Sequence, residues 1–233
     1  LVEAAHDSDS AVYGMVQPYS ADASTGATQP IHATSAHIRA AAANYRAKGV
    51  DGLYAWFLPW PMGETEKGIL SDMKDGDLSR HRDKHYLVPR NVAPGEELHY
   101  QVPLPVAIEA HETGIEHEIP FHIADDMETE TASINEVILR MNVTDLVAAD
   151  RIAISLNGRP LDTEKCTRDF GHWNAPYVGQ WLTFHLETIR PETGYNQLVF
   201  TVIKRPDDLA GTLCINDVEI MIVYGPYKPK LNP

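Results

Sequence analysis

The sequence is short of most features that would assign it quickly. It has two cysteines, Cys166 and Cys214, far apart along 233 residues. That excludes a zinc-type cysteine cluster and a disulfide scaffold, and it favours two free buried thiols over one bridge between neighbouring strands. No apolar run approaches the roughly 20 residues that a membrane-spanning helix needs. There is no phosphate loop, no nucleophile elbow and no dinucleotide fingerprint. Positive charge is scarce too: 19 Lys and Arg stand against 33 Asp and Glu, a formal net charge of −14. Such a chain repels phosphate backbones, so neither nucleic acid nor an anionic membrane is an expected partner. Leu1-Val2-Glu3 opens the chain without Met, a basic patch or an apolar stretch. No signal peptide is read there, a trimmed or incomplete chain is expected, and no compartment is assigned.

What is present is an ordinary globular composition, 43% hydrophobic and 22% charged, in a chain long enough for one large domain or two small ones. Its hydrophobic pattern changes partway. Up to about residue 90, strand and helix signals alternate. Val12 to Val16 is a short apolar run. Thr34 or Ser35 can cap a helix that carries Ile38, Ala41, Ala42 and Tyr45 on one face, and Gly49 ends it. Gly52 to Leu58 runs apolar without alternation, as a strand buried on both faces does. Glu66 to Met73 reads as a second helix. This β-α-β-α series predicts a parallel sheet with helical crossovers. Residues 76 to 95 are charged and irregular and read as a connector.

From residue 98 the period is two. Ile119, Phe121 and Ile123 share a face, as do Val137, Leu139, Met141 and Val143, then Ile152, Ile154 and Leu156. Asn157-Gly158 supplies a type I′ hairpin turn. Leu182, Phe184 and Leu186 repeat the pattern, followed by Leu198, Phe200 and Val202. The last strand changes face between Ile215 and Val218, which predicts a bulge near Asn216-Asp217. Seven or eight such strands predict a two-sheet sandwich. A mobile tail is expected from Tyr227 to Pro233. The expected fold class is α+β: a partial (β/α) barrel segment over 1–94, then an antiparallel, jelly-roll-like β-sandwich over 95–233.

The stretch His37-Ile38-Arg39-Ala40-Ala41-Ala42-Ala43-Asn44-Tyr45, followed by Gly49-Val50-Asp51-Gly52-Leu53-Tyr54-Ala55-Trp56-Phe57, resembles the end of a TIM barrel of glycoside-hydrolase type. Tyr86-Leu87-Val88 is similar to the exit segment of bacterial hydrolase-like proteins of this kind, in which an accessory jelly-roll or lectin-like sandwich follows the barrel. A whole barrel needs about 200 residues or more, so this chain would hold only its last two strands. The resemblance implies carbohydrate as the partner. It places substrate contacts at the C-terminal strand ends: Gln17 and Tyr19 after one strand, Trp56 and Trp60 after the other. Many barrel hydrolases carry a catalytic carboxylate at the end of the seventh strand, where this chain has Gln17. Glutamine is neither nucleophile nor base, so no catalytic residue is assigned and the chain alone is expected to hydrolyse nothing.

Four further groups carry candidate chemistry. Trp173, Tyr177 and Trp181, in or beside a loop, can contact sugar or dock against the first part. Asp125, Asp126, Asp217 and Glu219 resemble the acidic positions that hold a structural calcium in carbohydrate-binding sandwiches, against a plain reading as turn formers. No other cofactor is implied. His111, Glu112, Glu116, His117 and His122 form a His/Glu cluster, read as a solvated hairpin rather than a metal site. Asn142-Val143-Thr144 matches a glycosylation sequon inside a predicted strand. Two alternatives stand beside the hydrolase reading: a non-catalytic carbohydrate-binding or protein-interaction module, and a homo-oligomer built through exposed strands.

Overall fold

The computed structural model describes residues 2–17, 19–20, 31–56, 58, 61–74, 76–91, 95, 101–170 and 179–225, with side chains described at all of these except 19–20, 31–32, 77–78 and 170. The expected mobile tail from Tyr227 lies outside the described residues. The first part comprises α1 (Val2–His6), β1 (Tyr13–Val16), β2 (Tyr19–Ser20), β3 (Ile31–His32), α2 (Ser35–Ala47), β4 (Gly52–Ala55), α3 (Glu64–Lys74) and α4 (Gly76–Ser79). β1 and β4 pair in parallel, Tyr13 opposite Gly52 and Val16 opposite Ala55. The helix between them starts where Thr34 caps it. Thr34 Oγ1 accepts from the His37 amide at 3.3 Å, and His37 Nδ1 accepts from the Thr34 amide at 3.2 Å. Gly49, at φ +81°, stops it.

One face of the parallel pair is packed. Val16, Ile38, Ile69 and Met73 form a small core joined by Ala41, Tyr45, Leu53 and Ala55. Gly14 is required there, because a Cβ would stand 2.8 Å from both Leu53 and Tyr45. The opposite face is open: Tyr13, Met15, Tyr54 and Trp56 are 63%, 42%, 44% and 47% exposed. This corrects the expectation of a strand buried on both faces. Parallel strands are buried twice only when layers cover both sides, and α2 and α3 both lie on the same side, in the small core.

The segment read as an irregular connector contains α4 and a strand, β5 (Lys84–Leu87). After it come β6 (Val106–Ile108), β7 (Glu116–Ile123), β8 (Ile134–Thr144), β9 (Arg151–Leu156), β10 (Arg159–Pro160), β11 (Thr167–Phe170), β12 (Gly179–His185), β13 (Gly194–Lys204) and β14 (Leu213–Tyr224). They make two antiparallel sheets, ordered β10-β9-β13-β7 and β11-β12-β8-β14-β5, with β6 also on β14. β5 hid in the sequence because its inward residues are Lys84 and Tyr86, and lysine is almost never fully buried unless paired. Here it is paired. Lys84 Nζ lies 2.8 Å from Asp125 Oδ1, Tyr224 donates to the same oxygen at 2.6 Å, and Tyr86 donates to Asp125 Oδ2.

Every alternating set named from the sequence is buried, and all belong to one large core to which both sheets contribute. Each fully buried Leu, Ile or Phe in it is worth roughly 1.5–3 kcal/mol. Asn157 and Gly158 both have positive φ, 50° and 74°, at the β9–β10 hairpin. The register of β14 against β8 shifts between Ile215 and Asp217, as a bulge requires. The chain is therefore a β-rich α+β protein.

Helix α2 joins the two parts. Its Ala40 enters the large core while Ile38 serves the small one. Asn44 Nδ2 donates to the His122 carbonyl at 2.9 Å, on β7, and the His37 ring packs against His85 of β5 at 4.2 Å between centroids, the two rings tilted by 36°. β5 and β7 are outer strands of their sheets. The alanine run lets the helix pack closely on β5 and cover it, while Asn44 tethers the helix to β7.

Candidate functional site

Gln17 and Trp56 follow the last residues of β1 and β4, and the Trp56 amide donates to the Val16 carbonyl at 3.1 Å. Both therefore emerge at the C-terminal end of the parallel pair. Strand alternation puts them on the open face with Tyr13, Met15 and Tyr54. Gln17 and Trp56 are exposed. A planar aromatic beside an amide suits a hydroxylated ring: the indole offers a π surface to C–H groups, and the amide both donates and accepts. Neither strand-end residue is itself a carboxylate. The side chain of Tyr19 and all of Trp60 lie outside the described residues, as do Trp173 and Tyr177.

Trp181 sits on β12, half-buried, with the Arg140 guanidinium 4.3 Å from its ring centroid. One of its faces is thus already occupied. Arg140 also donates to Glu219 at 3.5 Å, and His85 Nε2 donates to the same Glu219 oxygen at 3.2 Å.

The four acidic residues read as calcium positions are not brought together. Asp125 lies in the core with Lys84, Tyr86 and Tyr224, whereas Asp217 pairs with Arg90 at 2.7 Å and Glu219 with His85 and Arg140. Alternation on β14 points Val218 and Ile220 into the core and sends Asp217 and Glu219 to the other side. Asp126 Oδ1 accepts from the amides of Glu128 and Thr129, a turn-forming role. In the His/Glu cluster, Glu112 closes on the Glu109 amide and His122 meets Asn44. Among the described residues no group of three or more His, Cys, Asp or Glu is placed to hold a metal ion. Cys166 and Cys214 are both free and half-buried, and burial pushes both thiols up.

Besides β5, sequence reasoning missed a surface cleft. A cleft of about 240 Å3 lies between β1, α2 and β5, and it includes Met15, Gln17, His37, His85 and Leu87. Burial, then the neighbouring His85, pushes His37 down to about 4. His37 and His85 lie 48 positions apart by their numbers, and no local spacing links them.

No family model matches the chain, and no curated protein matches it. Among solved structures it is similar to a β-glucosidase from Paenibacillus barengoltzii, at 14% identity, over 50% of this chain and 10% of that one, with a TM-score of 0.23. The match spans about a tenth of that enzyme's length, and a likeness this slight decides neither fold nor activity.

Proposed function

We propose that this chain is the C-terminal portion of a glycoside-hydrolase-like protein acting on carbohydrate, and that it is not catalytically competent alone. The observation that carries the reading is the β1–α2–β4–α3 unit. Its parallel strands have both helices on one face and an aromatic row on the other, ending at Gln17 and Trp56. In a (β/α) barrel the helix-free face lines the interior, and the C-terminal strand ends meet substrate. On this reading Trp56, with Tyr19 and Trp60, stacks on sugar rings, and Gln17 hydrogen-bonds hydroxyls. Hydrolysis needs a carboxylate pair, which Gln17 does not supply. The antiparallel sheets over 95–233, with β5 joined to their edge, are the accessory β-sandwich of jelly-roll type.

The second reading is a non-catalytic carbohydrate-binding or protein-interaction module. It is favoured by α2, whose Ala40 shares the core of the two sheets. The test is the solution mass of the purified chain by light scattering. A stable dimer or larger assembly supports the barrel reading, because a second copy then covers the open face. A clean monomer puts the self-contained module first.

A further inference from the structure

We infer that the cleft between β1 and β5 binds one neutral, hydroxylated sugar ring, with His85 as its hydrogen-bonding group. This rests on the reading that the chain acts on carbohydrate, and it adds a contact that lies outside the strand-end aromatics. His85 is held from behind. Its Nε2 donates to Glu219, which accepts from Arg140, which in turn stacks on Trp181. Such a carboxylate partner fixes an imidazole's tautomer and orientation. With Nε2 carrying the proton, Nδ1 is an acceptor, and it has no partner among the described residues. It therefore suits an O–H donor.

The rest of the cleft narrows the ligand. His37 packs against the His85 ring at 4.2 Å and is neutral above a pH of about 4, so it adds no charge near neutrality. Glu219 behind His85 and a net charge of −14 disfavour an anion. Met15 and Leu87 supply apolar wall beside Gln17, the mixture that a sugar's C–H and O–H faces need. Drug-sized ligands occupy roughly 300–1,000 Å3, so about 240 Å3 suits a single ring. Gln17 belongs both to this cleft and to the strand end near Trp56, which lets one glycan reach both.

The experiment follows the histidine ring nitrogens of the intact chain by NMR during titration with glucose, xylose and N-acetylglucosamine. Saturable shifts of His85 with at least one sugar are expected. His85→Phe keeps the ring contact but removes the acceptor, and it should weaken binding about tenfold or more. Leu87→Trp enlarges an exposed side chain of the cleft, leaves the core alone, and should block binding with an unchanged amide spectrum. The inference is overturned if none of the three sugars shifts His85, or if both variants bind as the unaltered chain does. Binding that survives both variants but is lost in Trp56→Ala removes the cleft while leaving the carbohydrate reading in place.

Discussion

The parallel pair and the two antiparallel sheets answer the same demand in opposite ways. A strand must bury at least one face. The antiparallel strands each turn an alternating set inward, and the two sheets supply one another's cover through a common core. The parallel pair is covered by α2 and α3 alone, and its second face carries Tyr13, Met15, Tyr54 and Trp56 in the open. An apolar strand sequence therefore states a demand for cover without stating what provides it. The antiparallel part meets the demand within this chain. Among the described residues, the parallel part meets half of it.

Mutations can break that contrast. The largest effect is expected at the polar centre of the antiparallel part. Asp125→Ala leaves the Lys84 ammonium, 3% exposed, without its carboxylate. Removing one partner of a buried pair costs about 3–5 kcal/mol, read from urea denaturation. Leu139→Ala, in the apolar core, should cost about 2–5 kcal/mol by the same measurement. Thr34→Ala removes the α2 cap and should cost about 1 kcal/mol. Tyr54→Ser on the open face should change stability by no more than about 0.5 kcal/mol. A loss of several kcal/mol there would mean that the face is covered in solution, which would erase the contrast.

The junction between the two parts responds to pH through His37. His37 has a folded-state value of about 4, against 6.5 for the free side chain. The unfolded chain therefore takes up this proton first. The contribution of His37 is full above about 6.5 and is lost as pH falls toward about 4. His37→Asn, which can still accept from the Thr34 amide, should flatten stability against pH in that window. An unchanged profile would show that the packed histidines do not couple to folding.

Part of this was legible in the residues. Thr34, Gly49 and Asn157-Gly158 act through their own backbone neighbours, so cap, stop and hairpin could be named in advance. The β5 strand was not legible, because its inward lysine looks like a surface residue until Asp125 is beside it. Nor was the cleft, which joins Met15, His37 and His85 from three separate elements. The supposed calcium set failed for a related reason. Adjacent acidic residues in the sequence went to a core and a turn, and two residues spaced by one went to the outer side of a sheet.

Local pattern settled which side of β7, β8, β9, β12, β13 and β14 is apolar, where α2 begins and ends, and where β14 must slip. Those depend on periods of 2 and 3.6 residues and on single-residue backbone preferences, all of which are local. The fold alone settled that β5 borders β14, that α2 packs on β5 and meets β7 through Asn44, and that the parallel pair keeps one face open. It also decided that His85 meets Glu219 across the strand pairing and His37 across the helix. Such pairings depend on which distant segments bury one another's polar and apolar surface together, and no short stretch of chain carries that information.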